Sequence, residues 1–143
     1  MSNQNYSNHT QIVPAFLALL AILFLTVIGS AVNLYQSIGD HQRLYSAALI
    51  LVLSACTLAL AFHARAFPLK AQDRAIRAEE NLRHFTLTGK LLDPRLKPLQ
   101  IVALRFASDG EFVALAIRAA KENMAPKDIK QAIKTWRADE YRV

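Results

Sequence analysis

The sequence predicts an all-α protein: a two-helix transmembrane hairpin followed by a small cytoplasmic helical domain. Two charge-free runs, residues 12–35 and 44–62 of 143, predict the hairpin. A soluble helix of that length would carry charges on its wet side, so lipid is the natural solvent of these runs. The charge is also uneven: residues 63–143 hold 16 basic and 10 acidic residues, which is the whole net excess of +6.

The chain begins with a polar, uncharged segment, residues 1–11, which we expect to be a flexible tail. The first span, residues 12–35, would be about 36 Å long as a helix, enough to cross a bilayer with tilt. A cleaved signal peptide is the alternative for this segment. It lacks a basic n-region and its apolar run is too long, so we expect a retained membrane helix instead.

The link between the spans is short and contains Gly39 and Asp40 as turn residues. The spans should therefore be antiparallel neighbours that form a hairpin over residues 12–62. Orientation follows from the basic residues near the membrane, of which the turn offers only Arg43. The exit from the second span offers the membrane-proximal basic residues, Arg65, Lys70, Arg74 and Arg77. That exit should therefore be cytoplasmic, with both termini inside and residues 63–143 forming the cytoplasmic domain.

An amphipathic helix should follow the second span, with Pro68 marking either a kink or the first turn of a new helix. Its apolar residues recur at steps of four and three, a heptad-like pattern. These residues form the apolar stripe: Ala71, Ala75, Ala78, Leu82 and Phe85. A domain of about eighty residues builds only a marginal core, so we expect the stripe to need a partner.

Three shorter helices are predicted further along. One begins at Pro98, one follows a capping box formed by Ser108 and Glu111 and ends near Asn123, and the last begins near Pro126. The last helix should carry the C-terminal basic residues on one face: Lys127, Lys130, Lys134 and Arg137. The predicted core of the domain is made of large apolar side chains: Leu82, Phe85, Leu104, Phe106, Phe112, Leu115, Ile129, Ile133 and Trp136.

Four segments of this half of the chain resemble a known family. They are LKAQDRAIRAEENLRHF from Leu69, TGKLLDPRL from Thr88, QIVALRFASDGEFVALAIRA from Gln100 and IKQAIKTWRADEYRV from Ile129. In this order they resemble an uncharacterised family of short bacterial two-span membrane proteins, catalogued as a domain of unknown function. The resemblance implies the bacterial inner membrane as location and implies no reaction. One departure is Ala125, where the family tends to place a Ser that would cap the last helix.

Nothing in the sequence points to catalysis or to a cofactor. The four histidines, His9, His41, His63 and His84, are not at ligand spacing, and the single cysteine, at position 56, lies within a span. Phosphate-binding loops and hydrolase motifs are missing from the sequence. We therefore expect no enzyme and no catalytic, cofactor-binding or metal-binding residues.

Two hypotheses of function remain. In the first, the protein tethers a small basic helical domain to the cytoplasmic face for protein interaction or assembly, and binds a protein partner or another copy through the apolar stripe and Trp136. In the second, the membrane-proximal basic residues and the C-terminal basic residues bind a polyanion. Aromatic side chains for base stacking are few, so membrane lipid headgroups are expected rather than nucleic acid. Binding to a polyanion should weaken steeply with salt, whereas apolar docking should not.

Overall fold

In a computed structural model of the protein, residues 4–8 and 13–139 are described, and they contain five helices and no strand. The helices are α1 (Pro14–Gln36), α2 (His41–Thr88), α3 (Pro98–Leu104), α4 (Asp109–Glu122) and α5 (Pro126–Ala132). The all-α prediction is confirmed. The chain divides into two compact units, an apolar unit that ends at Phe67 and a helical unit that holds residue 68 onwards together with the N-terminal segment.

The turn between α1 and α2 uses the two residues that the sequence singles out. Gly39 has a φ of +101°, a left-handed conformation that glycine adopts without a side-chain clash. Asp40 precedes α2, and its Oδ1 accepts hydrogen bonds from the backbone N–H groups of Gln42 at 3.1 Å and Arg43 at 3.3 Å. These are N–H groups that the first turn of a helix cannot satisfy internally, so Asp40 acts as the cap of α2.

Within the apolar unit, α1 and α2 meet through small and polar side chains. The hydroxyls of Ser30 and Ser54 lie 3.0 Å apart, and both residues are buried. Small residues allow two helices to approach closely. The rest of each helix faces outward: 6% of the most apolar stretch of α1 and 11% of that of α2 are buried. Both helices are long and apolar enough to span a membrane, whereas a core helix of a soluble protein would be mostly buried.

Helix α2 continues well beyond the second apolar run. It contains 48 residues, which corresponds to about 72 Å, and Pro68 lies inside it. The alternative that Pro68 opens a new helix is therefore wrong. Proline removes one backbone hydrogen bond of a long ladder, and good helix formers such as Ala66 and Ala71 surround it, so the helix tolerates that loss.

The core of the helical unit is built from α3, α4, α5 and the segment after α2. Of the predicted core residues, six are buried: Leu104, Phe106, Phe112, Leu115, Ile129 and Ile133. The Trp136 ring packs against this core with its centroid 5.1 Å from that of Phe106. The prediction is wrong for Leu82 and Phe85, which are 64% and 51% exposed. Their periodicity is real, but the domain covers the opposite side of α2.

The buried Gln100 holds the start of α3 against the end of α4. Its Oε1 accepts a hydrogen bond from the backbone N–H of Lys97 at 2.7 Å, and its Nε2 donates to the carbonyl oxygen of Met124 at 2.8 Å. Helix α4 ends at Asn123, whose φ of +47° places it in the left-handed region. An asparagine at that position is a common helix terminator, as the sequence predicts.

The predicted capping box before α4 is not formed. Ser108 stands at the N-cap but makes no side-chain capping bond, and its N–H donates to the carbonyl oxygen of Thr135 at 3.1 Å. The Glu111 carboxylate instead accepts from the N–H groups of Lys134 at 3.1 Å and Thr135 at 2.9 Å. The Ser108 N–H and the Glu111 carboxylate of the predicted capping box therefore bond with residues 134–135, which are distant in sequence, and not with each other.

Helix α5 is shorter than predicted, because it ends at Ala132 and the chain then runs extended. Trp136 forms an isolated antiparallel bridge with Ala107, and the N–H of Arg137 donates to the carbonyl oxygen of Phe106 at 2.7 Å. These bonds satisfy backbone groups of the link between α3 and α4, which a continued helix could not do.

Candidate functional site

The apolar stripe lies on the uncovered side of α2. All five of its residues are exposed. The opposite side of the same helix is buried at Ile76, Glu80 and His84, which follow one another at steps of four. This part of α2 therefore has one packed side, most of it polar, and one uncovered side that is apolar.

Arg83 holds the packed side of α2 to the rest of the domain. Its guanidinium donates to Glu80 at 2.9 Å, to Asp109 at 2.7 Å and to the carbonyl oxygen of Ala107 at 2.7 Å. It also lies 4.3 Å from the centre of the Phe112 ring, a cation–π arrangement. The Glu80 and Arg83 side chains are 7% and 11% exposed, so this is a nearly buried ion pair with further hydrogen bonds.

His84 and Asn81 add to this attachment. The Nδ1 of His84 lies 2.6 Å from the carbonyl oxygen of Lys90, and its ring meets the Phe112 ring edge-on at 6.0 Å. The side-chain oxygen of Asn81 accepts from the N–H of Leu92 at 3.2 Å. These bonds fix the rotation of α2 about its axis relative to the domain, so the apolar stripe faces away from it.

Sequence analysis missed this polar network. Its members share a helix side with one large aliphatic residue, Ile76, so hydrophobic periodicity favours the other side. The ion pair that forms, Glu80 with Arg83, has a spacing of three residues. The combination of an acid and an arginine three residues apart is compatible with pairing but common on exposed helices.

The membrane-proximal basic residues are only partly brought together. Lys70, Arg74 and Arg77 are exposed and, at steps of four and three, line one edge of the apolar stripe. Arg65 belongs to the apolar unit, where its guanidinium lies 5.8 Å from the centre of the Phe16 ring. On the opposite edge of the stripe Glu79 is exposed and makes no ion pair with a described residue. The stripe thus has a basic edge and an acidic edge.

The C-terminal basic residues do not form the predicted helix face. Lys127 and Lys130 lie on α5, but Lys134 and Arg137 follow its end. The Lys130 ammonium lies 5.6 Å from the centre of the Phe106 ring, and Arg137 is 3.9 Å from Glu80. The prediction is wrong because the chain leaves α5 at Ala132 and bonds with the link between α3 and α4.

Trp136 lies apart from the apolar stripe. It packs on the core beside Phe106 and is partly buried, so its role in the structure is to close the domain. The site that the structure assembles from the predicted partner-binding residues is therefore the apolar stripe alone.

Groups that could carry chemistry are scattered. Among residues 4–8 and 13–139, no cluster of three His, Cys, Asp or Glu side chains is placed to hold a metal ion; His9 lies outside this range. Hydrogen bonds from the side chain and N–H of Arg95 lower the pKa of Asp93 to about 2, which keeps this turn residue ionised. A groove of about 540 Å³ beside Pro98 and Pro126 has a mainly apolar lining.

These observations define a class: an all-helical protein with two helices long and apolar enough to span a membrane and with a compact helical unit that begins at Pro68. The chain belongs to the family of unknown function DUF6526, whose family model matches residues 1–143. The resemblance to an uncharacterised family is thereby confirmed. Neither the curated proteins nor the solved structures that were compared contain a match to this chain.

Proposed function

We propose that this protein is a non-catalytic, two-span protein of the bacterial inner membrane that presents a small helical domain on the cytoplasmic face for protein interaction or assembly. The observation that carries the proposal is the uncovered apolar stripe on a helix whose other side is firmly attached to the domain. Exposed leucine and phenylalanine side chains in a row are typical of a surface that another protein covers.

The exposure of α1 and of the first part of α2 supports membrane insertion. Large apolar side chains such as Phe24, Leu25 and Leu53 are at least 60% exposed, and such a surface is stable only in contact with lipid or protein. Nearly all backbone polar groups of a helix are bonded within it, so a span needs no further partner in the bilayer.

Contacts near the two ends of the chain support placing both on one side of the membrane. The side chain of Gln4 accepts a hydrogen bond from the N–H of Asp139 at 2.8 Å, within the helical unit. Two spans return the chain to the side on which it began. The exposed basic residues Lys70, Arg74 and Arg77 follow the second span, and the positive-inside rule favours the cytoplasm for that side.

The alternative, binding of a polyanion, is supported by fewer residues than the sequence suggests. Lys70, Arg74 and Arg77 form one exposed basic edge close to the end of the apolar run, a position suited to anionic lipid headgroups. The C-terminal set is dispersed, and Trp136 is packed on the core rather than available for stacking. Lipid contact at this edge is compatible with protein docking on the apolar stripe.

Photo-crosslinking in intact membranes tests the proposal. A crosslinking amino acid replaces Leu82 on the stripe or, as a matched control, Leu99 on α3, which is 60% exposed. Position 82 should give a discrete protein adduct and position 99 should not. The adduct should persist between low and physiological salt if docking is apolar. Equal labelling at both positions, or an adduct yield that collapses with salt, would overturn the proposed docking on the stripe.

A reporter fusion tests the proposed topology. A reporter fused after Val143 must be active in the cytoplasm.

A further inference from the structure

We infer that the partner of the apolar stripe is a second copy of this chain, bound through a parallel, two-fold symmetric pair of α2 helices. This inference rests on the proposed function and names its partner. It is carried by the charges on the two edges of the stripe, by the confinement of all copies to one membrane, and by the side of α2 that the domain occupies.

The apolar stripe follows the spacing of a coiled-coil seam. Its five residues alternate between the d and a positions of a heptad, beginning with Ala71 at d and ending with Phe85 at d. In this register Arg74 occupies a g position and Glu79 the following e position. Both are exposed, and neither makes an ion pair with a described residue.

Charge complementarity specifies the orientation of the pair. In a parallel dimer, a g position faces the next e position of the other helix, so Arg74 meets the second copy's Glu79, and symmetry makes that contact twice. In an antiparallel pair, g positions face g positions and e positions face e positions, so this basic and this acidic residue cannot meet. The edges of the stripe therefore favour the parallel dimer.

Membrane insertion favours self-association. Two copies inserted with one topology present their stripes on the same side of the membrane, and confinement to one membrane raises their effective concentration. That gain matters because the stripe spans only two heptads, fewer than the three or four that a free coiled coil usually needs.

The shape of α2 is compatible with this contact. Alanines at positions 71, 75 and 78 allow close approach of the two backbones, and Leu82 and Phe85 supply larger apolar side chains toward the end of the helix. The domain is attached through Glu80, Arg83 and His84 on the other side. Ala75 and Glu79 border a groove against the C-terminal segment at Arg137, and both side chains stay exposed.

Single cysteines in the full-length protein provide the first test. In a Cys56→Ser background, Ala75→Cys and Ala78→Cys place a thiol at the seam, whereas Arg77→Cys places one on an exposed position beside it. A symmetric parallel pair brings each seam cysteine opposite its own copy. Oxidation of isolated membranes should therefore give covalent dimers with the first two variants and at least several-fold less with the third.

Exchange of the edge charges provides the second test. Arg74→Glu or Glu79→Arg alone replaces two attractive contacts by two repulsive ones and should reduce Ala78→Cys crosslinking roughly fivefold. The double exchange, Arg74→Glu with Glu79→Arg, should restore it. Restoration distinguishes a direct contact from a general effect of charge on folding.

The outcomes separate the inference from the proposed function. Seam cysteines that crosslink to a protein of different mass, with no dimer, would refute self-association and leave the interaction function standing. Covalent dimers without rescue by the double exchange would refute the parallel geometry. If neither the seam cysteines nor the photo-crosslinker at position 82 captures any protein, both proposals are wrong.

Discussion

The two sides of α2 after Pro68 reverse the usual rule that apolar side chains are buried and charged side chains are exposed. The apolar side, with Leu82 and Phe85, is exposed, whereas the opposite side buries the charged pair of Glu80 and Arg83. The charged pair tolerates burial because each group has partners at hydrogen-bond distance. The apolar side has no such partners, and in the function we propose another protein covers it. Burial of a side of α2 therefore depends on whether its side chains find hydrogen-bond and ion-pair partners within the chain. It does not depend on whether those side chains are apolar.

The largest expected effect comes from two adjacent residues on these opposite sides. Arg83→Ala should destabilise the domain by about 3 kcal/mol, because it removes the hydrogen-bonded counter-charge of the buried Glu80 carboxylate and leaves only the more distant Arg137, at 3.9 Å. Leu82→Ala should change stability by less than about 0.5 kcal/mol, because the side chain is exposed in the monomer. Trp136 is the only tryptophan and packs on the core, so its fluorescence during urea unfolding in detergent measures both values.

That comparison requires dilute protein, so that self-association of α2 does not contribute to the stability of the unmodified chain. Arg77→Ala, at an exposed position on the same helix, is the control for loss of an arginine. Equal destabilisation by Leu82→Ala and Arg83→Ala under these conditions would mean that the assignment of the two sides is wrong.

A second pair of neighbours sharpens the same comparison with a smaller effect. His84→Ala removes the hydrogen bond to the Lys90 carbonyl oxygen and the edge contact with Phe112, and should cost roughly 2 kcal/mol. Phe85→Ala, one residue on, removes a larger apolar side chain but should cost less than about 0.5 kcal/mol. The same urea titration compares them, and a larger loss for Phe85→Ala would contradict the structure.

The smallest effect is expected at the exposed ion pair of Asp93 and Arg95. Comparing it with the Arg83 network shows how much burial adds to the stability that an ion pair contributes. Asp93 accepts hydrogen bonds from Arg95, and its pKa is lowered from 3.8 to about 2 in the folded state. A lowered carboxyl pKa adds stability above about pH 4 that is lost as the pH falls toward 2. Asp93→Asn should therefore be slightly less stable at neutral pH, and its unfolding midpoint should converge with that of the unmodified chain near pH 2.

Much of the fold could be predicted because its signals are local. Pro98 and Pro126 open helices, Gly39 and Asp40 form the turn, and six of the nine predicted core residues are buried. Each depends on backbone preference or on periodicity within a few residues. The sequence also predicts the candidate site as a set of residues, but it places Leu82 and Phe85 both in this stripe and in the core, and the structure exposes both.

The sequence by itself determined that the protein is helical, where its two long apolar runs lie, and that a heptad-like stripe follows them. Only the tertiary structure decided that α2 passes through Pro68 and that the extended segment after Ala132 takes the bonds expected of Glu111 and Ser108. It also decided which side of α2 the domain covers. The physical reason is that side-chain periodicity is a property of one helix, whereas burial of a polar group depends on partners that are distant in the chain.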